Sequence, residues 1–281
     1  MSTTPAQRLD TQELEQRVKQ MYQEVALEPE RKFHFETGRA LAERLGYPPA
    51  DLDRIPADAI DSFAGVGHLL DLADIAPGDT VLDLGSGSGM DSFLASIAAG
   101  PDGRVIGVDM TEEQLAKATR LAAAGGIENA EFRSGHIEEP PVEPESVDCV
   151  ISNGVINLSP DKAAVFAAVA KVLRPGGRLA LSDIVTTEQL PEGVTCDASL
   201  WAACIGGAMQ RDRYREAIEG AGLQIAEWRE NPEYRFVSER AGNAVRKYGV
   251  TSISLLARRP PTGPTQHRLR RGPGRAHRKT S

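Results

Sequence analysis

Two carboxylates and three alternating glycines are spaced to hold a nucleoside that carries an amino group. The run Val81-Leu-Asp-Leu-Gly-Ser-Gly-Ser-Gly89 sets apolar Val81, Leu82 and Leu84 ahead of Gly85, Gly87 and Gly89. The apolar residues read as a buried parallel strand. The glycines read as a turn where a ligand comes closer to the backbone than a Cβ would permit. Asp83 stands two residues before the first glycine, where it would repel a phosphate and attract an α-amino group. Asp109 ends the next apolar run, 20 residues past Gly89, the distance at which an acid reaches ribose hydroxyls in nucleotide-binding βαβ units.

The glycine spacing separates two cofactor classes. A dinucleotide turn runs G-x-G-x-x-G, and its third glycine would fall on Met90 here, which disfavours a nicotinamide oxidoreductase. The observed G-x-G-x-G, with Asp83 before it, resembles the motif of class I S-adenosylmethionine (AdoMet) dependent methyltransferases. Longer segments resemble the bacterial arsenite methyltransferase family: Val105-Ile-Gly-Val-Asp-Met-Thr111, Ile151-Ser-Asn-Gly-Val-Ile-Asn-Leu-Ser-Pro-Asp-Lys162, Ser182-Asp-Ile-Val185 and Trp201-Ala-Ala-Cys-Ile-Gly-Gly-Ala208. The similarity runs from about Val18 to Glu230 and is strongest in the AdoMet half. It implies that Asp83, Gly85, Gly87 and Gly89 hold the methionine end of AdoMet. Asp109 and Met110 would take the ribose and adenine, Ile137 and Glu138 the adenine edge, and Asn153 would face the sulfonium.

The same resemblance departs at the acceptor. The family grips thiophilic arsenic with converging thiolates, but the loop position here is Gly154 and the cap position is Val66, leaving Cys204. Cys196 lies eight residues from Cys204, about 12 Å along a helix at ~1.5 Å per residue, too far to replace a lost ligand. Arsenite held by three thiolates is therefore not expected, and no metal site is assigned.

The elements that must position these residues alternate strand and helix, which implies a parallel sheet covered on both faces. Strands are expected near 80–84, 104–109, 130–134, 147–152 and 178–183, with an antiparallel pair at 223–230 and 251–257. The expectation is a Rossmann-like class I methyltransferase fold with a mostly parallel seven-stranded sheet, an N-terminal helical cap over 1–76 and an AdoMet-binding domain over 77–257. An insertion at 185–222 follows strand five, and a basic disordered tail covers 258–281. Thr111, Glu112, Glu113 and Gln114 read as a capping box, and Ser159 with Pro160 as a helix start.

Acceptor chemistry should come from the cap and the insertion. Methyl transfer needs alignment, and a base only if the acceptor bears a proton. His34, between Phe33 and Phe35, and His68, after a glycine-rich turn, are candidate bases or acceptor-binding groups, or packing residues. Cys204 is a soft contact or inherited packing. Tyr22 closes over the cofactor or sits in an amphipathic helix core. Cys149, inside an apolar strand, reads as a small hydrophobe, His136 as adenine-side packing, and Glu36 with Arg39 as a surface pair.

At 281 residues and 41% hydrophobic, one substantial core is possible. The segment from Arg258 holds eight Lys or Arg and no acid, so of the formal net charge of -8 the remainder carries -16. An acidic body argues against nucleic acid as main substrate. No apolar run approaches the ~20 residues of a membrane span, and three cysteines do not make a disulfide framework. These features predict a cytoplasmic enzyme acting on a small-molecule acceptor, with oligomeric state open. The alternatives are an arsenite, metalloid or thiol methyltransferase with a reduced cysteine set and, from another class, a protein that binds AdoMet for regulation without catalysis.

Overall fold

The computed structural model describes residues 9–195, 201, 206–237 and 239–261. Its centre is one sheet of eight strands: β1 (Thr80–Leu84), β2 (Arg104–Asp109), β3 (Ala130–Ser134), β4 (Val147–Asn153), β5 (Leu173–Thr186), β6 (Met209–Gln210), β7 (Gln224–Glu230) and β8 (Thr251–Arg258). They run in the order β3-β2-β1-β4-β5-β8-β7, with β6 pairing β5 off this path. The ladders from β3 to β5 are parallel, and β8 lies antiparallel between β5 and β7. The sheet exceeds the expected seven strands by β6, which meets β5 at Val185 and Thr186. A two-residue bridge leaves no periodicity to read.

Val81, Leu82 and Leu84 are fully buried, as a strand covered on both faces requires. On one face α8 (Lys162–Val172) presents Val165, Phe166 and Val169 to Leu179 and Leu181 of β5. On the other, Ala95 of α6 (Met90–Ala99) joins Val81, Val105 and Cys149. Burial pushes the Cys149 thiol up to about 12, so it stays a neutral packing group. β1 lies between β2 and β4, and the chain leaves it toward β2 and later returns on the other side at β4. This reversal opens a crevice beyond the carboxyl ends of the strands, where open α/β sheets bind ligands.

The N-terminal segment closes that crevice. The helix α1 (Thr11–Leu27) is capped by Asp10, whose carboxylate accepts from the amides of Gln12 and Glu13. Its C-terminal end is pinned by polar contacts: Ser62 Oγ donates to Val25 O at 3.0 Å, Lys117 Nζ to Ala26 O at 3.1 Å and Gln114 Nε2 to Tyr22 O at 2.8 Å. Short helices at Arg39–Arg44, Pro49–Leu52, Ala57–Asp61 and Leu70–Ala73 continue the segment, burying Leu41, Tyr47, Leu52 and Ile60 against Phe93 and Leu94 of α6. Among the described residues no helix is long and apolar enough to cross a membrane.

Three local expectations are corrected. Thr111 caps α7 (Glu112–Gly125) without a side-chain bond. The box is broken because Gln114 turns to Ser88 and Tyr22, while Thr111 serves Asp109. α8 starts from Asp161, which accepts from Ala164 N, because the Ser159 hydroxyl is spent on Glu138 and the Asp161 amide. Glu36 pairs with Arg44, and Arg39 instead with Glu43 and Asp53.

Candidate active site

A cavity of about 310 Å³ lies at the carboxyl ends of β1, β2 and β4, bordered by the 85–88 turn below and by α1 above. Gly85 has φ +73°, and a Cβ there would meet Val155 Cγ2 at 2.2 Å. The turn is knit to β2 by Gly85 and Ser86 amides donating to Val108 O, and by Gly87 N donating to Asp109 Oδ2 at 2.9 Å. Asp109 Oδ1 accepts from Thr111 N at 2.8 Å, so one carboxylate fixes both the turn and the start of α7. Gly89 lies against the Phe93 and Phe132 rings and does not border the cavity; it lets the helix pack.

Asp83 is buried and accepts from Ser92 Oγ at 2.6 Å. Burial, reinforced by Asp91 and Asp109, pushes its carboxyl up to about 8. Asp91, also buried, accepts from Tyr47 OH at 2.6 Å and Asn153 Nδ2 at 3.0 Å. Its carboxyl is raised by burial, with those two donors opposing. Asp109 is raised by burial against the pull of its backbone amides. All three border the cavity, and among the described residues no Lys or Arg is paired with any of them. Ser86, 8% exposed, also borders it, and its hydroxyl has no hydrogen-bond partner among the described residues. Unpaired buried carboxylates favour a cationic ligand.

AdoMet meets that demand: its ammonium would answer Asp83 and Asp91, and its ribose Asp109. Met110, Ile137 and Glu138 border the same cavity, as does His136, and the Ser159 hydroxyl donates to Glu138.

Asn153 borders the cavity too, but its amide is fully engaged. Its Oδ1 accepts from Val66 N at 2.8 Å, and Nδ2 reaches Gly67 O at 2.9 Å, Asp91 Oδ2 and Tyr47 OH at 3.1 Å. The glycines flanking Val66 permit this approach: a Cβ on Gly65 would stand 2.6 Å from Asn153 Nδ2, and one on Gly67 2.4 Å from Asn231 Nδ2. Asp91, Tyr47 and Ser86 escaped the sequence reading. A third acid right after the glycine turn was the available signal for Asp91, and Tyr47 had none.

The acceptor candidates divide. Tyr22 borders the cavity and stacks on Phe35 at 6.1 Å. His34 packs edge-on to Phe35, and His68 lies against Tyr47 with ring centroids 4.4 Å apart; neither borders the cavity. Burial pushes His68 down. Cys204 and Cys196 lie outside the described residues. Val66 is 1% exposed, and a Cβ on Gly154 would sit 3.3 Å from Val66 Cγ1. The two positions are neighbours, and neither borders the cavity. Behind the loop after β4, buried Lys162 donates to Asn157 O at 3.1 Å and Ser159 O at 2.9 Å beneath the Trp201 ring. Burial pushes this amine down to about 8.

A family model described as a methyltransferase domain matches residues 75–222, over half of the chain. The chain is 44% identical over 228 residues, 80% of its length, to an arsenite methyltransferase of Halobacterium salinarum, covering 58% of that protein. It is 37% identical to an arsenite methyltransferase of Mus musculus over 58% of this chain and 45% of that protein. The chain thus spans about half the length of the curated relatives it matches. Among solved structures, an arsenic(III) S-adenosylmethionine methyltransferase from Chlamydomonas reinhardtii superposes with a TM-score of 0.61 at 31% identity, covering 80% of this chain and 75% of that one.

Proposed function

Because this chain belongs to the class I AdoMet-dependent methyltransferases, in the arsenite methyltransferase-like group, we propose that it transfers a methyl group from AdoMet to a small molecule. The observation that carries the reading is the cavity itself: Asp83, Asp91 and Asp109, without a basic partner among the described residues, gathered at the switch point of the sheet. AdoMet, when bound, supplies the methyl from its sulfonium, whose sulfur keeps the bonding pair and leaves as a neutral thioether while the acceptor lone pair forms the new bond.

The chain's own residues bind and orient. Asp83 and Asp91 take the ammonium, Asp109 the ribose, and Gly85 lets the backbone approach. The α1 helix lines one side of the cavity with Leu14, Val18 and Tyr22. A proton on the acceptor has Glu15 and Glu138 as bordering carboxylates.

The acceptor in this reading is not arsenite under three thiolates. That Val66 and Gly154 carry no thiol and do not border the cavity supports this. The test is production of S-adenosylhomocysteine (AdoHcy) from AdoMet with arsenite and with a panel of organic thiols, amines and alcohols. Turnover with an organic acceptor and none with arsenite is the expected result. Turnover with arsenite alone refutes the acceptor assignment, and tight AdoMet binding with no turnover on any acceptor returns the chain to a regulatory binder.

A further inference from the structure

A lysine is buried directly behind the loop that follows β4. Lys162, 3% exposed, donates to Asn157 O at 3.1 Å and Ser159 O at 2.9 Å and lies 5.0 Å from the centre of the Trp201 ring. The acids whose charge reaches it are Asp183 of β5, itself buried, and Glu138. Its neighbours on α8, Val165, Phe166 and Val169, are apolar, and a buried ammonium costs more than an apolar side chain unless its hydrogen bonds are needed. Here they fix two carbonyls of a loop whose other side borders the cavity through Leu158, Ser159 and Pro160.

Ser159 is where that support meets the cavity. A serine hydroxyl has one proton to give and lone pairs to receive another. The Ser159 oxygen accepts from Asp161 N at 3.1 Å, and its single proton is directed to Glu138 Oε1 at 2.5 Å. We propose that Ser159, seated by Lys162, is a positioning residue that turns the Glu138 carboxylate toward the exocyclic amine of the AdoMet adenine. The hydroxyl holds one carboxylate oxygen, and the other accepts from the amine. A base with a carbonyl oxygen in place of that amine meets lone pairs instead of a donor, and the hydrogen bond is lost. The inference rests on the AdoMet reading and on Glu138 standing at the adenine edge.

The test is calorimetric binding, to the whole chain, of AdoHcy and of S-inosylhomocysteine, in which a carbonyl oxygen replaces the adenine amine. The parent should prefer AdoHcy by at least about tenfold. Ser159→Ala should narrow the preference to about threefold or less, whereas Ser159→Thr, which keeps a hydroxyl, should retain it. Glu138→Ala should abolish it. Lys162→Met should narrow it as Ser159→Ala does, and if that variant fails to fold the two serine variants decide. A merely structural role would weaken both ligands alike and leave their ratio unmoved. An unchanged ratio in Ser159→Ala or in folded Lys162→Met, or a parent that binds the two ligands equally, overturns the inference. Failure of the parent to bind AdoHcy at all defeats the AdoMet reading itself.

Discussion

Where the cavity meets β1 and α6 its wall is carboxylate, held by the Ser92 and Tyr47 hydroxyls, whereas α1 and the loop after β4 face it with Leu14, Val18 and Leu158. The first end is anchored on the sheet's switch point, and strand order alone dictates that a ligand binds there. The second is assembled from segments outside the sheet and can change its chemistry without disturbing the first. The difference teaches that donor identity belongs to the fold and acceptor identity to its cover.

Substitutions should respect that division, and the largest effect belongs to the donor end. Asp83→Asn removes a buried carboxylate facing an ammonium, and AdoMet affinity should fall about 100-fold at pH 7, equivalent to ~2.7 kcal/mol; calorimetry reads it directly. An affinity within threefold of the parent would place the ammonium elsewhere. Tyr47→Phe deletes one of two donors to Asp91, and a loss of about tenfold in AdoMet affinity is expected, without a change in the acceptor selectivity of turnover. The acceptor end should answer in stability instead. Gly154→Cys puts a side chain at φ +76° and against Val66, which should cost about 1–3 kcal/mol and lower Tm by several degrees, with AdoMet affinity held within twofold. A Gly154→Cys protein as stable as the parent would mean that this contact is looser than described.

The sequence carried the donor end because a glycine turn and two acids lie in short, local runs. Glycine spacing reports how closely a ligand approaches the backbone, and apolar alternation reports which strands are buried. Residues acting across long separations left no such trace: Tyr47 meets Asp91 over 44 positions and Asn153 over 106. Local signals also misled where the site competed for the same side chain. The Thr111–Gln114 box gave way to Asp109, Ser88 and Tyr22, and Ser159 left its cap for Glu138. His34 and His68 stood out as titratable residues in the cap, yet both pack against aromatic rings away from the cavity.

The central claim is that AdoMet's ammonium is received by a carboxyl that burial holds protonated. In the empty protein Asp83 sits at about 8 against an ordinary 3.8, so the folded chain holds a proton that the unfolded chain releases. Stability is therefore lost as pH rises across that window, and a cation bound there drives the proton off. Calorimetric titration of AdoMet at pH 7 in two buffers of different ionisation enthalpy measures that proton. One site with release of about one proton is predicted, fading above pH about 8 and absent in Asp83→Asn. Absence of AdoMet binding, or binding whose heat is the same in both buffers, would contradict the account.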